Sequence, residues 1–431
     1  MIGGYTKQVF VAHDGPQAVA QTQLAIKHAT EGQAGPVALL YHSAALGQTV
    51  GPDTAPRLYT MPPVGTAARR PADDGQVRAA AALLMRAARP VIVAGNGVRL
   101  SAAREELREL AEVLDAPVTT TASGKGVFPE THPLALGVFG TFGLEAANVV
   151  VGEADLIVAV GTKLGATDTA RENPALLDPE RQTFVQIDVE PRHTSWSYPA
   201  DAALVGDAGQ VMRQLVTALR DLEHERHDRG RQRVAAAHRA YDSFEVAESA
   251  SDETPILPQR LIRDLGRALP EDAIVACDAG ENRLYMMHYF RTKGSVEYLQ
   301  PAAVGGMGYA VPAALAAKLV YPNRAAIAAC GDGGFGIAMN GMMTAVEERI
   351  AIVTVVFNNS ALGWVLHGQG DRPLASTFAP FDHAAIARAM GCEGIRVEKP
   401  EEISRPSSAP SPRAARRSWT WSARSPRPTP K

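Results

Sequence analysis

The chain has 431 residues, 46% of them apolar, with 43 Lys+Arg against 46 Asp+Glu and a net charge of −3. Residues 404–431 carry seven of the basic residues and no acid, which leaves 36 basic against 46 acidic in residues 1–403, a net of −10. An acidic, apolar-rich body excludes global disorder and argues against a nucleic-acid binder, and no apolar run approaches the ~18 residues that a membrane helix needs.

At roughly 150 residues per domain, about three domains are expected. Residues 1–45 read as strand, helix and the strand Val37–Tyr41, a single β-α-β unit too small to stand alone. Met1–Lys7 shows no apolar signal-peptide core. Residues 46–75, rich in Pro, Gly, Thr and Asp, read as a linker. From 76 to 221 strands alternate with helices. Arg89–Ala94 is a continuous apolar run closed by Gly95-Asn96-Gly97, and Leu107, Leu110 and Leu114 mark one helical face. Further strands are expected at Pro117–Thr120, Leu156–Val160 and Phe184–Asp188. Residues 222–255 are charged, and His224, His227 and His238 fit no ligand face, so a solvated linker helix is expected. A second α/β block spans 256–403, with strands at Ala273–Cys277, Ala325–Cys330 and Ile350–Phe357. The pattern implies an α/β fold of doubly wound parallel-sheet domains. Residues 404–431 hold six of the 30 prolines and no Val, Ile or Leu. Cys277, Cys330 and Cys392 lie far apart at no metal-ligand spacing and read as buried thiols in a reducing, cytoplasmic setting.

The segment Cys330–Val365 carries the chemistry. A buried strand ends in Gly331-Asp332-Gly333-Gly334-Phe335-Gly336, and the next ends in Asn358-Asn359-Ser360-Ala361-Leu362-Gly363. Asp332 and Asn359 are 27 residues apart, room for one helix and one strand, so both return to the same sheet edge, where open parallel sheets bind ligands. A carboxylate, an amide oxygen and backbone carbonyls are hard donors suited to Mg²⁺, which normally shares phosphate oxygens with a cofactor. The glycines let backbone approach an anion closely. A Mg²⁺–diphosphate site is expected.

Gly331-Asp332-Gly333 followed by Asn358-Asn359 resembles the signature of thiamine-diphosphate enzymes of the acetolactate synthase and 2-oxo-acid decarboxylase superfamily, over residues 1 to about 403. The resemblance implies that Asp332, Asn359 and the Ala361 carbonyl hold Mg²⁺. It also implies that Gly331, Gly333, Gly334 and Leu362 line the cofactor, joined by Gly280, Glu281 and Asn282. Met307, in Gly305–Ala314, matches the apolar residue that bends thiamine so that proton removal is intramolecular. Residues 76–221 resemble the family's central domain, which holds FAD in biosynthetic acetolactate synthases. Here Gly161–Gly165 lacks the Arg and Asp those synthases carry, and no FAD is expected. An NAD site on Gly95-Asn96-Gly97 lacks G-x-G-x-x-G spacing, the next glycine being Gly124. The resemblance implies a 2-oxo acid substrate and a homo-oligomer (dimer or tetramer), with no nucleic-acid or membrane partner.

Three departures qualify it. Residues 1–45 look like the last β-α-β unit of the family's pyrimidine domain, and no residue matches its catalytic glutamate; Glu31 sits in a helix-end turn. Gly368 stands where biosynthetic synthases carry a tryptophan that shapes the acceptor pocket, and His367 reads as a solvent-facing loop histidine. Residues 404–431 replace the family's final helix and apolar strand. Arg417–Ser422, encoded CGG-TCG-TGG-ACG-TGG-TCN and read from the last base of the first codon, gives Val-Val-Asp-Val-Val, so a frameshift near residue 404 is expected. A genuine basic tail is the alternative. The expected protein is acetolactate synthase-like, with a decarboxylase or an inactive or binding subunit as alternatives.

Overall fold

A computed structural model describes residues 2–56, 69–222, 229–241, 244–302 and 304–403, together with the backbone of Arg416–Ser422. Part of the expected linker, His224, His227 and the tail on either side of 416–422 lie outside the described residues.

The first unit pairs β1 (Val9–Ala12) in parallel with β2 (Ala38–Tyr41) through helix α1 (Gly15–Thr30). Asp14 starts that helix by accepting a hydrogen bond from the Gln17 N–H at 2.8 Å, which satisfies one of the donors a helix start leaves open. Glu31 ends it, paired with Lys27 at 3.7 Å.

The central unit opens with α2 (Asp74–Arg86) and builds six parallel strands: β3 (Pro90–Ala94), β4 (Val118–Thr120), β5 (Ala135–Val138), β6 (Leu156–Val160), β7 (Thr183–Asp188) and β8 (Ala202–Val205). Their order is β5-β4-β3-β6-β7-β8, all pairs parallel. Val91–Ala94 is fully buried because helices cover both faces of β3, as expected of a continuous apolar run. On one face α2, α3 (Arg104–Leu114) and α4 (Ala208–Arg220) press Leu84, Leu107, Leu110, Leu215 and Leu219 onto the sheet. Each fully buried leucine contributes ~1.5–3 kcal/mol.

The opposite face corrects one expectation. The charged segment is no free linker: α5 (Arg229–Ala240) buries Val234 and Ala237 in the second core beside Val150 and Val151. The ring Nε2 of His238 also lies 2.8 Å from the Ala135 carbonyl of β5. Two apolar residues at helical spacing suffice to dock a helix whose other faces are charged.

The last unit runs β9 (Ile274–Cys277), α6 (Glu281–Tyr289), β10 (Glu297–Leu299), β11 (Ala326–Gly331), α7 (Asp332–Ala338), β12 (Ile352–Asn358), α8 (Gly363–Gln369), β13 (Glu393–Val397) and β14 (Arg416–Ser422). The sheet is again parallel, in the order β10-β9-β11-β12-β14-β13. The helix after β11 starts at Asp332 itself and ends at Ala338, with a second helix over Gly341–Glu347, where one continuous helix was expected. All three cysteines are buried and form no disulfide. No helix among the described residues is long and apolar enough to cross a membrane.

A polar seam joins the central and last units. Lys125 Nζ meets both Glu130 oxygens at 2.6 and 2.8 Å, and Glu130 also accepts from the Thr292 N–H and hydroxyl at 2.8 and 3.1 Å. Arg104 pairs with Glu297 at 2.6 Å, and Arg99 donates to the carbonyls of Lys125 and Tyr298.

Candidate active site

Winding in the last sheet reverses at β9: the chain leaves it for β10 on one side and returns to β11 on the other. Ligands of open α/β sheets bind at the carboxyl ends of the strands beside such a reversal. A cavity of about 640 Å³, counted with its open mouth, lies there. All eleven residues singled out from the sequence line it: Gly280, Glu281, Asn282, Met307, Gly331, Asp332, Gly333, Gly334, Asn359, Ala361 and Leu362.

The loop after β9 turns at Gly280, whose φ of 122° only glycine adopts freely. It starts α6, so Glu281 stands at the helix entrance and Asn282 turns inward. Asn282 is buried and donates to the Asp278 and Ala329 carbonyls at 3.2 and 3.5 Å, tying β9 to β11. It is a strut of the site, not a surface cap.

Asp332 is the focus. Its Oδ1 accepts from the Gly333 N–H at 2.7 Å, whereas Oδ2 is buried without a hydrogen-bond partner. Burial pushes this carboxyl up to about 6, against the pull of the backbone N–H groups of Gly333 and Asn359–Ala361. A buried, orphaned carboxylate oxygen is costly unless a cation or proton completes it. Asn359 lines the same wall, with Oδ1 accepting from the Ala361 N–H at 3.1 Å. Among the described residues no three His, Cys, Asp or Glu side chains cluster as metal ligands. The donor set is one carboxylate, one amide and backbone oxygen, which suits a hard ion that keeps other oxygens around it. These residues fit Mg²⁺.

Opposite them, Met307 is 36% exposed and stands at the cavity instead of packing into a core. A Cβ on Gly333 would lie 3.0 Å from the Met307 methyl and 2.9 Å from a Leu362 methyl, so the missing side chain leaves room for both.

Asp278, just past the end of β9, was assigned no role from the sequence. It is fully buried and its carboxylate accepts from the N–H groups of Gly308 and Ala310 at 2.9 and 3.1 Å, fixing the loop that carries Met307. Burial raises its carboxyl, opposed by those backbone donors. Its position just past a strand end was the available signal. Phe142, from the central unit, had none. It packs edge-on against Trp364 at 5.4 Å, and its carbonyl is held by His288 Nε2 at 3.0 Å. Trp364 and Val365 of α8 line the cavity's outer part.

His367 is solvent-exposed as expected but stands on a helix and not in a loop. It lies on α8, 32% exposed, with Nδ1 3.0 Å from Glu281 Oε1. Far from this cavity, the Gly95-Asn96-Gly97 turn packs against another loop: a Cβ on Gly95 would lie 2.3 Å from the Gly161 carbonyl oxygen, and one on Gly97 2.6 Å from the Gly161 Cα. The crossing of two strand-end loops accounts for these glycines.

Two family descriptions match in chain order: the thiamine pyrophosphate enzyme central domain over residues 77–215, and the thiamine pyrophosphate enzyme C-terminal TPP binding domain over residues 278–407. The probable acetolactate synthase large subunit of Methanocaldococcus jannaschii is 35% identical over 340 residues, 76% of this chain and 56% of that protein. Sulfoacetaldehyde acetyltransferase of Castellaniella defragrans is 30% identical over 357 residues, 78% of this chain and 60% of that protein. The acetolactate synthase isozyme 3 large subunit of Escherichia coli is 29% identical over 335 residues, 76% and 58% respectively. The matched stretch thus spans little more than half the length of these relatives. The first description falls on the central sheet and the second on the sheet that carries the cavity, and together they cover most of the chain: it belongs to the thiamine-diphosphate-dependent enzymes.

Proposed function

We propose that this chain holds Mg²⁺ and the diphosphate of thiamine diphosphate at the ends of β9, β11 and β12, in an acetolactate synthase-like enzyme. The reaction would decarboxylate a 2-oxo acid such as pyruvate and join the remaining fragment to a second carbonyl compound. The observation that carries this is the buried Asp332 Oδ2 without a partner, set beside Asn359 and Ala361. Asp332, Asn359 and the Ala361 carbonyl would hold the ion, while Gly333 and Gly334 leave space for the diphosphate. Met307, braced through Asp278, would support the thiamine body. The bound cofactor supplies an electron sink for the carbanion left when CO₂ departs. Trp364 and Phe142 would wall the side from which substrate enters and exclude water. Named relatives that are acetolactate synthases support the donor half of this reading.

Gly368 favours a second outcome. Among the described residues no atom lies within 4 Å of where its side chain would be, so its own position supplies no wall to an acceptor pocket. Release of an aldehyde after decarboxylation is the alternative, and product analysis from pyruvate separates acetolactate from acetaldehyde.

Among the described residues lining the cavity the acids are Glu281 and Asp332, both on the diphosphate side. The chain as given is therefore expected to bind thiamine diphosphate with Mg²⁺ in isothermal titration and to consume pyruvate weakly or not at all. Activity restored by mixing with an intact homologue would indicate a binding subunit that borrows the missing acid. Robust turnover by the chain alone would sink this part of the proposal.

A further inference from the structure

We propose that His367 and Glu281 are positioning residues that set the sense of the Asn359 amide and so tune the cation affinity of the site. The inference rests on the reading of Asp332, Asn359 and Ala361 as cation ligands.

The Asn359 side chain is fixed at both ends. Its Oδ1 accepts from the Ala361 N–H at 3.1 Å, and its Nδ2 donates to Glu281 Oε2 at 3.4 Å. Turned over, the amide would set oxygen against a carboxylate oxygen and NH₂ against an N–H, so the network admits one sense only. That sense leaves the second lone pair of the amide oxygen for a cation.

Glu281 is itself held. Its other oxygen, Oε1, lies 3.0 Å from His367 Nδ1. A carboxylate only accepts, so Nδ1 carries the proton and Nε2 faces outward. The relay thus joins the entrance of α6, the turn after β12 and the body of α8.

A second observation points the same way. A Cβ on Gly363 would lie 2.0 Å from Glu281 Oε2 and 3.0 Å from Asn359 Nδ2. Gly363 is not among the residues of positive φ, so its backbone does not require glycine. Its missing side chain is the hollow in which the Glu281 carboxylate meets the amide.

Partners that orient a metal ligand typically change metal affinity by about 10–100-fold when removed. The test uses the full chain with thiamine diphosphate, titrated with Mn²⁺ as the probe and read by electron paramagnetic resonance of free and bound ion, with thermal melts alongside. His367→Leu is expected to weaken Mn²⁺ binding by about 10-fold. His367→Asn, whose amide nitrogen stands as far along the side chain as Nδ1, is expected to restore it, and His367→Gln, whose amide nitrogen falls nearer the Nε2 position, is not. Gly363→Ala displaces Glu281 without removing any polar group and is expected to match His367→Leu. If His367→Leu does not fold, the comparison of Gly363→Ala with His367→Asn carries the test.

Wild-type Mn²⁺ affinity in His367→Leu and Gly363→Ala, with loss in Asp332→Asn and Asn359→Ala, would overturn this inference and leave the cation site standing. Unchanged binding in Asp332→Asn and Asn359→Ala would overturn the cation site and this inference together. A His367→Asn protein as weak as His367→Leu would show a merely structural histidine and overturn the relay.

Discussion

Two aspartates, Asp332 lining the cavity and Asp278 beneath its neighbouring loop, are buried for different reasons. Asp278 has backbone donors on both carboxylate oxygens, and removing them leaves the N–H groups of Gly308 and Ala310 unpaired. Asp278→Ala is expected to cost about 1–3 kcal/mol in urea unfolding and to speed amide exchange at those two positions first. Asp332 is strained instead, its carboxyl raised from 3.8 to about 6 by burial. A raised acid contributes its full stability below the unfolded value and loses it as pH climbs through the folded one. The ion-free wild type should therefore match Asp332→Asn near 3.8 and fall below it by about 1–3 kcal/mol above about 6. Urea melts with chelator at both pH values check this, and a gap that does not widen with pH would refute it. The oxygen donors were legible in the sequence because residue type and spacing sufficed to bring them to one edge. The contact of His367 with Glu281 was not, because it joins the entrance of one helix to the body of another, whose relative placement depends on the packing of the whole sheet.

Among elements, strand cores were the easiest to read. Pro90–Ala94, Leu156–Val160 and Ile352–Asn358 are apolar runs buried from both sides, and each stands within two residues of its expected span. The short strands β5, β8 and β10 went unread. Four residues such as Ala135–Val138 carry too little pattern, and parallel neighbours recruit them. The Gly95–Gly97 turn shows how a motif can mislead: its glycines answer to the Gly161 backbone. Gly97→Ala is expected to destabilise the fold by about 1–3 kcal/mol through overpacking, with the same loss in melts with and without any nucleotide. A loss seen only with nucleotide present would point to a ligand instead. The backbone of Arg416–Ser422 takes the interior slot between β12 and β13. An interior parallel strand usually carries an apolar run, which Arg416-Arg417-Ser418-Trp419-Thr420-Trp421-Ser422 is not. The frameshift expectation therefore keeps its test: sequencing the gene around codon 404.

Across the whole molecule, the doubly wound α/β architecture was readable from the alternation of strands and helices, but the seam between units was not. It is built from single polar residues on connecting segments, such as Lys125, Glu130 and Thr292, which carry no periodic signal. Burial lowers the Lys125 ammonium from its ordinary value, and the Glu130 charge beside it works against that. Breaking such a pair from one side leaves an uncompensated buried charge, so Lys125→Met is expected to cost about 3–5 kcal/mol. The double variant Lys125→Met with Glu130→Leu should recover much of that loss in urea unfolding. Equal losses in the single and double variants would mean that the ion pair is itself net stabilising, beyond compensating one buried charge with another.

Strand β13 is hydrogen-bonded to the sheet only through β14, and β14 follows it in the chain. During vectorial synthesis β12 and β13 emerge with a gap between them that later residues must fill. Until then the outer edge of β12 presents unpaired N–H and C=O groups to any neighbouring chain. Completion of this unit therefore waits on synthesis past residue 422, and a nascent chain stalled before residue 416 would be its most association-prone form.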